Sequence, residues 1–436
     1  LIKEFVSLFW FRRDLRLEDN VAFANALQTA SVPVLPIFIF DSEILERLEN
    51  KSDARVQFIH QTLQKMDEEL RTKGSGLWVG HGSVIDVFTE LFEKYDVRRV
   101  YCNGDYEPSA VARDIAVEKL CEKRGITFHS FKDQVIFEKR EIAKDDGNPY
   151  TVYTPYSKKW LAKLKPDMLK SHVCHKYFER LKAWPGQPLP TLKKLGFKKV
   201  DCEYPPCELD PKRISAYAKT RDLPALEHGT SHIGLHLRFG TISIRNCVAL
   251  AKAKDLTWLK ELIWREFFMQ ILWNFPHVVE GPFRPEYSKV KFRHDEKQFA
   301  KWCAGQTGFP LVDAGMRELN ETGFMHNRVR MVAASFLVKD LLIDWRWGES
   351  YFASKLLDFD LASNNGNWQW VAGTGCDAVP YFRVFNPEIQ QQKFDPEFVY
   401  IRRWIPEFGK PKYPEPMVDR KESQARVMNA YAAAKR

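Results

Sequence analysis

The chain has no Cys-x-x-Cys pair, no internal repeat and no low-complexity tract. No apolar run approaches the roughly 20 residues that a membrane-spanning helix needs. No Gly-x-Gly-x-x-Gly follows the first strand-like segment, which removes the usual dinucleotide fingerprint. The eight cysteines are scattered; Cys202 and Cys207 lie near each other, and Cys174 sits beside His172 and His175. We read them as reduced thiols and expect neither a disulfide framework nor a metal site. The N-terminus runs straight into a strand-like segment, so the sequence leads us to expect no signal peptide, no membrane association and a cytoplasmic location.

What is there is a chain of 436 residues, long enough for two domains. Hydrophobic content of 44% and charged content of 28% describe a globular protein. A formal charge of +9 suits a polyanionic partner, and thirteen tryptophans, several beside polar motifs, are available for stacking. Strand-like segments at 5–11, 33–40, 77–79, 97–102 and 126–131 alternate with helical patterns at 53–72, 84–95 and 108–123. That alternation predicts a doubly wound parallel α/β domain over 1–131, with its crevice at the carboxyl ends of the strands. From 132 to 208 proline, lysine and glycine accumulate, which predicts a surface connector with some helix near 155–165. From 209 to 436 the apolar period is helical. Helices are expected at 211–220, 231–251, 255–274, 296–303, 310–321, 325–343, 348–357 and 366–371, with a last one in the 420–436 tail. The predicted fold is thus an α/β domain followed by an all-helical one.

The run Asp358-Phe359-Asp360-Leu361-Ala362-Ser363-Asn364-Asn365-Gly366-Asn367-Trp368-Gln369-Trp370 is too polar for a core and too aromatic for open water. On a helix Trp368 and Trp370 diverge by about 200°, so one ring can serve the interior while the other meets a cavity. A polar helix start with Asn364 or Asn365 near the cap accounts for the same residues. Glu261 and Trp264, three apart in a helical pattern, share a face on which a carboxylate and an indole could meet a flat heterocycle; an ordinary helix surface fits as well. Gly229-Thr230-Ser231-His232 reads as a helix start, fit for capping or for a phosphate. Arg328 and Arg330 point apart, and one could pair with Asp358 or Asp360.

The ordered set Phe11-Arg12-Arg13-Asp14-Leu15-Arg16, Gly229-Thr230-Ser231, His236-Leu237-Arg238-Phe239-Gly240, Trp264-Arg265-Glu266-Phe267, Thr307-Gly308-Phe309-Pro310, Met325-His326-Asn327-Arg328 and the 358–370 run resembles the photolyase/cryptochrome family over nearly the whole chain. The resemblance implies FAD, reduced and anionic in its active form, folded into the helical domain. By motif, Tyr217, Thr230, Ser231 and Arg265 would hold FAD, Arg330 would pair with Asp358, Asp360 would approach the flavin ring and Asn364 would sit at flavin N5. Where the family carries a further serine, this chain has Gly234. Glu261, Trp264, Asn327, Arg328, Met331, Trp370 and Arg383 would face double- or single-stranded DNA containing pyrimidine dimers. Asn327 and the Glu261, Trp264, Trp370 set resemble class I enzymes that repair cyclobutane dimers; 6-4 enzymes and animal cryptochromes usually show a second histidine at 327. The expected activity is light-driven dimer repair by a monomer acting on the nucleoid. A blue-light receptor without repair is the alternative, disfavoured because little chain follows 419 where signalling members carry long extensions.

The resemblance leaves a second, light-harvesting chromophore open. Folate-binding relatives carry Asn-Glu where this chain has Ser109-Ala110, while Asn103, Asp105 and Glu107-Pro108 look more like deazaflavin-binding relatives; an empty site is the other expectation. Relatives photoreduce FAD through three tryptophans. Trp368 and Trp345 match the first two, but the third is Phe292; Trp302 first, or Trp347, is expected to take over, the alternative being weak photoreduction.

Overall fold

The computed structural model describes residues 3–434. Five parallel strands, β1 (Phe5–Phe11), β2 (Val34–Asp41), β3 (Trp78–Gly82), β4 (Asp96–Asn103) and β5 (Thr127–Phe131), form one sheet in the order β3-β2-β1-β4-β5. Every residue of β2, and all but the first of β1, is buried, because crossover helices cover both faces. Pairing runs outward in both directions from β1 and β4, so their carboxyl ends form the topological switch point. They deliver Arg12-Arg13-Asp14 and Asn103-Gly104-Asp105 there.

The chain divides into two compact units, each discontinuous in sequence. The first comprises 1–138, 164–208 and 233–250 and contains the sheet. The second comprises 139–163, 209–232 and 251–436 and is helical. Among the described residues, no helix is long and apolar enough to cross a membrane.

Several expected helices start or stop elsewhere, and caps explain most of the shifts. The helix expected at 366–371 is Leu361–Ala372, because the Asp360 carboxylate accepts from Ser363 N at 3.0 Å and Gly373 closes it at φ +81°. The one expected at 348–357 is Trp345–Lys355, capped by Asp344. The expected 231–251 helix is two pieces, Gly234–Phe239 and Ile244–Lys254. They break at Gly240, where φ is +63° and any side chain would collide with the Arg13 backbone. Thr230 and Ser231 therefore do not open a helix, and the Gly234–Phe239 helix has no side-chain cap. The 325–343 pattern is an α-helix, Asn327–Ser335, that widens into a π turn over Phe336–Asp340. Four short α-helices went unread: Val21–Thr29, Ser42–Glu46, Pro387–Phe394 and Val399–Trp404. Cys174 Sγ contacts the backbone oxygens of Asn20 and His172, and His175 pairs with Glu18.

Candidate active site

Four helices of the second unit, Leu256–Asn274, Asn327–Ser335, Trp345–Lys355 and Leu361–Ala372, enclose a cavity of about 320 Å³. The first supplies Glu261, Trp264, Arg265 and Phe268. The second supplies Asn327, Arg330 and Met331. Asp358 and Asp360 come from the turn before the last helix, and Asn364, Trp368 and Trp370 from the helix itself. Two glycines let these helices meet: a Cβ on Gly366 would strike the Phe268 ring, and one on Gly348 would strike the Trp368 ring. Trp368 is buried and Trp370 half-buried, yet both border the cavity. The expected division of labour between the two rings is a difference of exposure rather than of destination.

Fixed charges set the lining. Arg330 pairs with Asp358 at 3.0 Å and donates to Met325 O at 2.7 Å, so the guanidinium is held on two sides. Glu261 binds Arg221 through Oε1 at 2.6 Å. Burial pushes the Glu261 carboxyl up, and Arg221 offsets only part of that. Asp222 receives Arg328 at 2.8 Å, so Arg328 is paired beside the cavity rather than lining it. Trp264 stacks on Tyr153 with ring centres 3.6 Å apart and planes 5° from parallel, which fixes the indole from behind.

Asn364 shows what the cavity is built to receive. Its amide N–H groups both go to Glu349, at 3.0 Å to the backbone oxygen and 2.8 Å to Oε1. That commits the donors and leaves the carbonyl oxygen as the group offered to the cavity. An acceptor there suits a ring nitrogen that carries a proton, as N5 of a reduced flavin does and N5 of an oxidised flavin does not. The Arg330–Asp358 pair and the apolar faces of Phe268, Phe352 and Val371 complete a wall of the kind a flavin needs. The residues present fit the cofactor that the resemblance implies.

Of the residues singled out from sequence, Glu261, Trp264, Arg265, Asn327, Arg330, Met331, Asp358, Asp360, Asn364, Trp368 and Trp370 converge on this cavity. Tyr217, Thr230, Ser231, Arg328, Arg383, Trp345 and Trp302 do not line it. Tyr217 lies under the Arg221 guanidinium, and Arg383 is exposed against Phe385. Trp302 is fully buried, with its ring edge-on to Trp368. Sequence reading missed Arg221, Tyr153 and Glu349. No local pattern marks any of them; each acts on a residue far away in sequence.

The sheet unit's switch point is packed with charge, but its groups bind one another. Asn103 donates to Asp14 Oδ2 and Asn20 Oδ1 at 2.6 and 2.8 Å and accepts from Ala22 N at 3.0 Å. Arg13 pairs with Asp105 and Glu107, and Glu107 also takes Arg238. Arg12 binds Asp114 and the Asn103 carbonyl. The three residues read as a chromophore signature thus carry structural duties.

Two family models match the chain. Residues 7–174 match the family described as DNA photolyase, and residues 258–411 match the FAD binding domain of DNA photolyase. The deoxyribodipyrimidine photo-lyase of Synechococcus sp. is 36% identical, over 97% of this chain and 96% of that protein. The chain belongs to the DNA photolyase family. An archaeal photolyase from Sulfolobus tokodaii, solved with two FAD molecules, has a TM-score of 0.85 at 36% identity, covering 98% of this chain and 100% of that one. A bacterial class III photolyase from Agrobacterium tumefaciens also gives 0.85, at 32% identity over 100% and 98% of the two chains. The helical unit of this photolyase carries the FAD-binding domain.

Proposed function

We propose that this photolyase repairs cyclobutane pyrimidine dimers in DNA by light and is of the class I type. The observation that carries the reading is the convergence of Glu261, Trp264, Asn327, Met331 and Trp370 on one cavity with Asp358, Asp360 and Asn364. The name shared by the curated relatives favours repair over the photoreceptor alternative. With a class III enzyme among the similar structures, the class I assignment rests on the dimer-facing residues.

Reduced FAD, when bound and excited by light, would lend an electron to the lesion and take it back once the ring has split; the chain's residues position and tune. A dimer in a duplex must leave the stack to reach the cavity, and its distorted stacking lowers that cost. Trp264, braced by Tyr153, and Trp370 offer indole faces to the two flipped bases, worth about 1–3 kcal/mol per base. Glu261 keeps one carboxyl oxygen on Arg221 and turns the other to the base edge. Burial raises the Glu261 carboxyl above its ordinary value against the pull of Arg221. Phe268, Met331 and Val371 exclude water. Arg383 and Arg328 supply phosphate contacts, Arg328 by trading Asp222 for DNA. Tyr217, Thr230 and Ser231 hold the cofactor's phosphates and ribitol in this reading. The protein works as a monomer on cytoplasmic, nucleoid DNA.

The test is blue-light treatment of a thymine-dimer oligonucleotide with purified, chemically reduced protein. Intact thymines should return in light and not in darkness. Flavin-loaded protein that restores none in light overturns the reading, and preference for a 6-4 photoproduct overturns the class.

A further inference from the structure

Repair starts from a reduced flavin and hands its electron back, so electrons from outside are needed only for a flavin that has become oxidised. The residues that surround Phe292 make a poor path. Trp345 is 2% exposed, and among the described residues no ring contact joins it to Trp368. Phe292 packs against Tyr431, which is fully buried and has the Lys339 ammonium 4.1 Å from its ring centre. Full burial of the ring opposes positive charge there.

A continuous path of rings leaves Trp368 on another side. Trp368 meets Trp302 with centres 6.2 Å apart, and the Phe352 ring touches both. Trp302 cannot be an end point. It is fully buried, and its Nε1–H donates to the Ala333 carbonyl at 3.0 Å, which is no base. Two rings lead outward. Tyr351 lies 5.8 Å from Trp302 directly, whereas Trp347 is reached only through Phe299, and phenylalanine is hard to oxidise. Tyr351 is half-buried, and its phenol donates to Asn320 Oδ1 at 2.5 Å at the surface.

We propose that Trp302 and Tyr351 form the electron entry path to Trp368 in this photolyase, replacing the one that Phe292 closes. The proposal rests on the flavin-binding reading of the cavity. One electron passes from Trp368 to light-excited oxidised flavin; Trp302 refills Trp368, and Tyr351 refills Trp302. The Tyr351 phenolic proton leaves to solvent beside Asn320, giving a neutral tyrosyl radical. Lys355, 5.6 Å from the ring centre, disfavours the charged alternative. An external thiol then returns an electron and a proton to Tyr351. Two such passes, with one proton from water, convert oxidised FAD to its anionic reduced form.

The experiment illuminates oxidised, FAD-loaded protein with thiol and follows the flavin by absorbance and radicals by electron paramagnetic resonance. Wild type should show a tyrosyl signal. Tyr351→Phe should lose it and photoreduce at least tenfold more slowly, with FAD content and melting temperature unchanged. Tyr351→Trp should restore the rate without the tyrosyl signal, Trp302→Phe should behave like Tyr351→Phe, and Trp347→Phe like wild type. Equal rates in wild type and Tyr351→Phe, a slow Trp347→Phe, or a wild type that does not photoreduce each overturn the proposal. Dimer repair by chemically reduced wild type is measured in parallel. Its failure removes the repair reading and leaves the path standing; its success with a normal Tyr351→Phe removes only the path.

Discussion

Asn103 in the sheet unit and Asn364 in the helical unit are both buried, at 4% and 8% exposed, and both stand among acids. Asn103 spends two donors and its acceptor on Asp14, Asn20 and Ala22. Asn364 spends its donors on Glu349 and keeps its carbonyl for the cavity. Buried polar groups demand partners, so a network that closes on itself is architecture and one that stops at a cavity is waiting for a ligand. The two units use the same residue types, and only the geometry of satisfaction separates them.

The strongest way to break that contrast is to open the sheet unit's network. Asp133 takes both Arg16, at 2.6 Å, and Arg245, at 2.9 Å, and all three side chains are at most 10% exposed. Asp133→Ala removes the carboxylate shared by two buried guanidinium groups, leaving Arg245 on Asp19 and Arg16 on the Asp19 and Gly240 carbonyls, and should cost about 3–5 kcal/mol of stability in urea unfolding. FAD bound per folded molecule should not change. Loss of flavin without loss of stability would place a ligand site where we see architecture.

A closed network also exists inside the helical unit, away from the cavity lining. Glu318 accepts from Tyr400 Oη at 2.6 Å and from His326 N, and burial outweighs these bonds to push its carboxyl up to about 7. Its folded pKa lies above its unfolded value, so the stability it lends is full below about 4.3 and drains as pH rises through 7. Glu318→Gln mimics the protonated form and should flatten stability across that window, gaining up to about 3 kcal/mol at pH 8. Thermal melts between pH 4 and 8 that are parallel in variant and wild type would contradict this.

Trp370→Ala tests the open side. Binding of a dimer-containing duplex should weaken by about 1–3 kcal/mol, or roughly 5–150-fold, with FAD retained. Unchanged affinity would remove Trp370 from the lesion contact.

Sequence showed much of this, unevenly. Apolar runs located all five strands, and motif residues such as Arg330, Asp358 and Asn364 proved to share one cavity. Helix starts were misjudged where an acid outside the apolar pattern sets the boundary, as Asp360 and Asp344 do. Arg221, Tyr153 and Glu349 escaped because a supporting residue is defined by what it touches, and those contacts span 40, 111 and 15 positions. Asn103, Asp105 and Glu107 are paired within the protein, which composition does not reveal.

In the proposed function one cavity in the helical unit takes both flavin and lesion. The direct measurement is flavin fluorescence of reduced, FAD-loaded protein during titration with a duplex carrying one thymine dimer, in wild type and in a Trp264→Ala/Trp370→Ala variant. A dimer stacked in the cavity should quench the flavin in wild type by accepting its excited electron, and the double variant should lose most of that quenching at equal DNA concentration. Equal quenching in both proteins, or none in wild type while the dimer DNA is bound, would contradict the shared cavity.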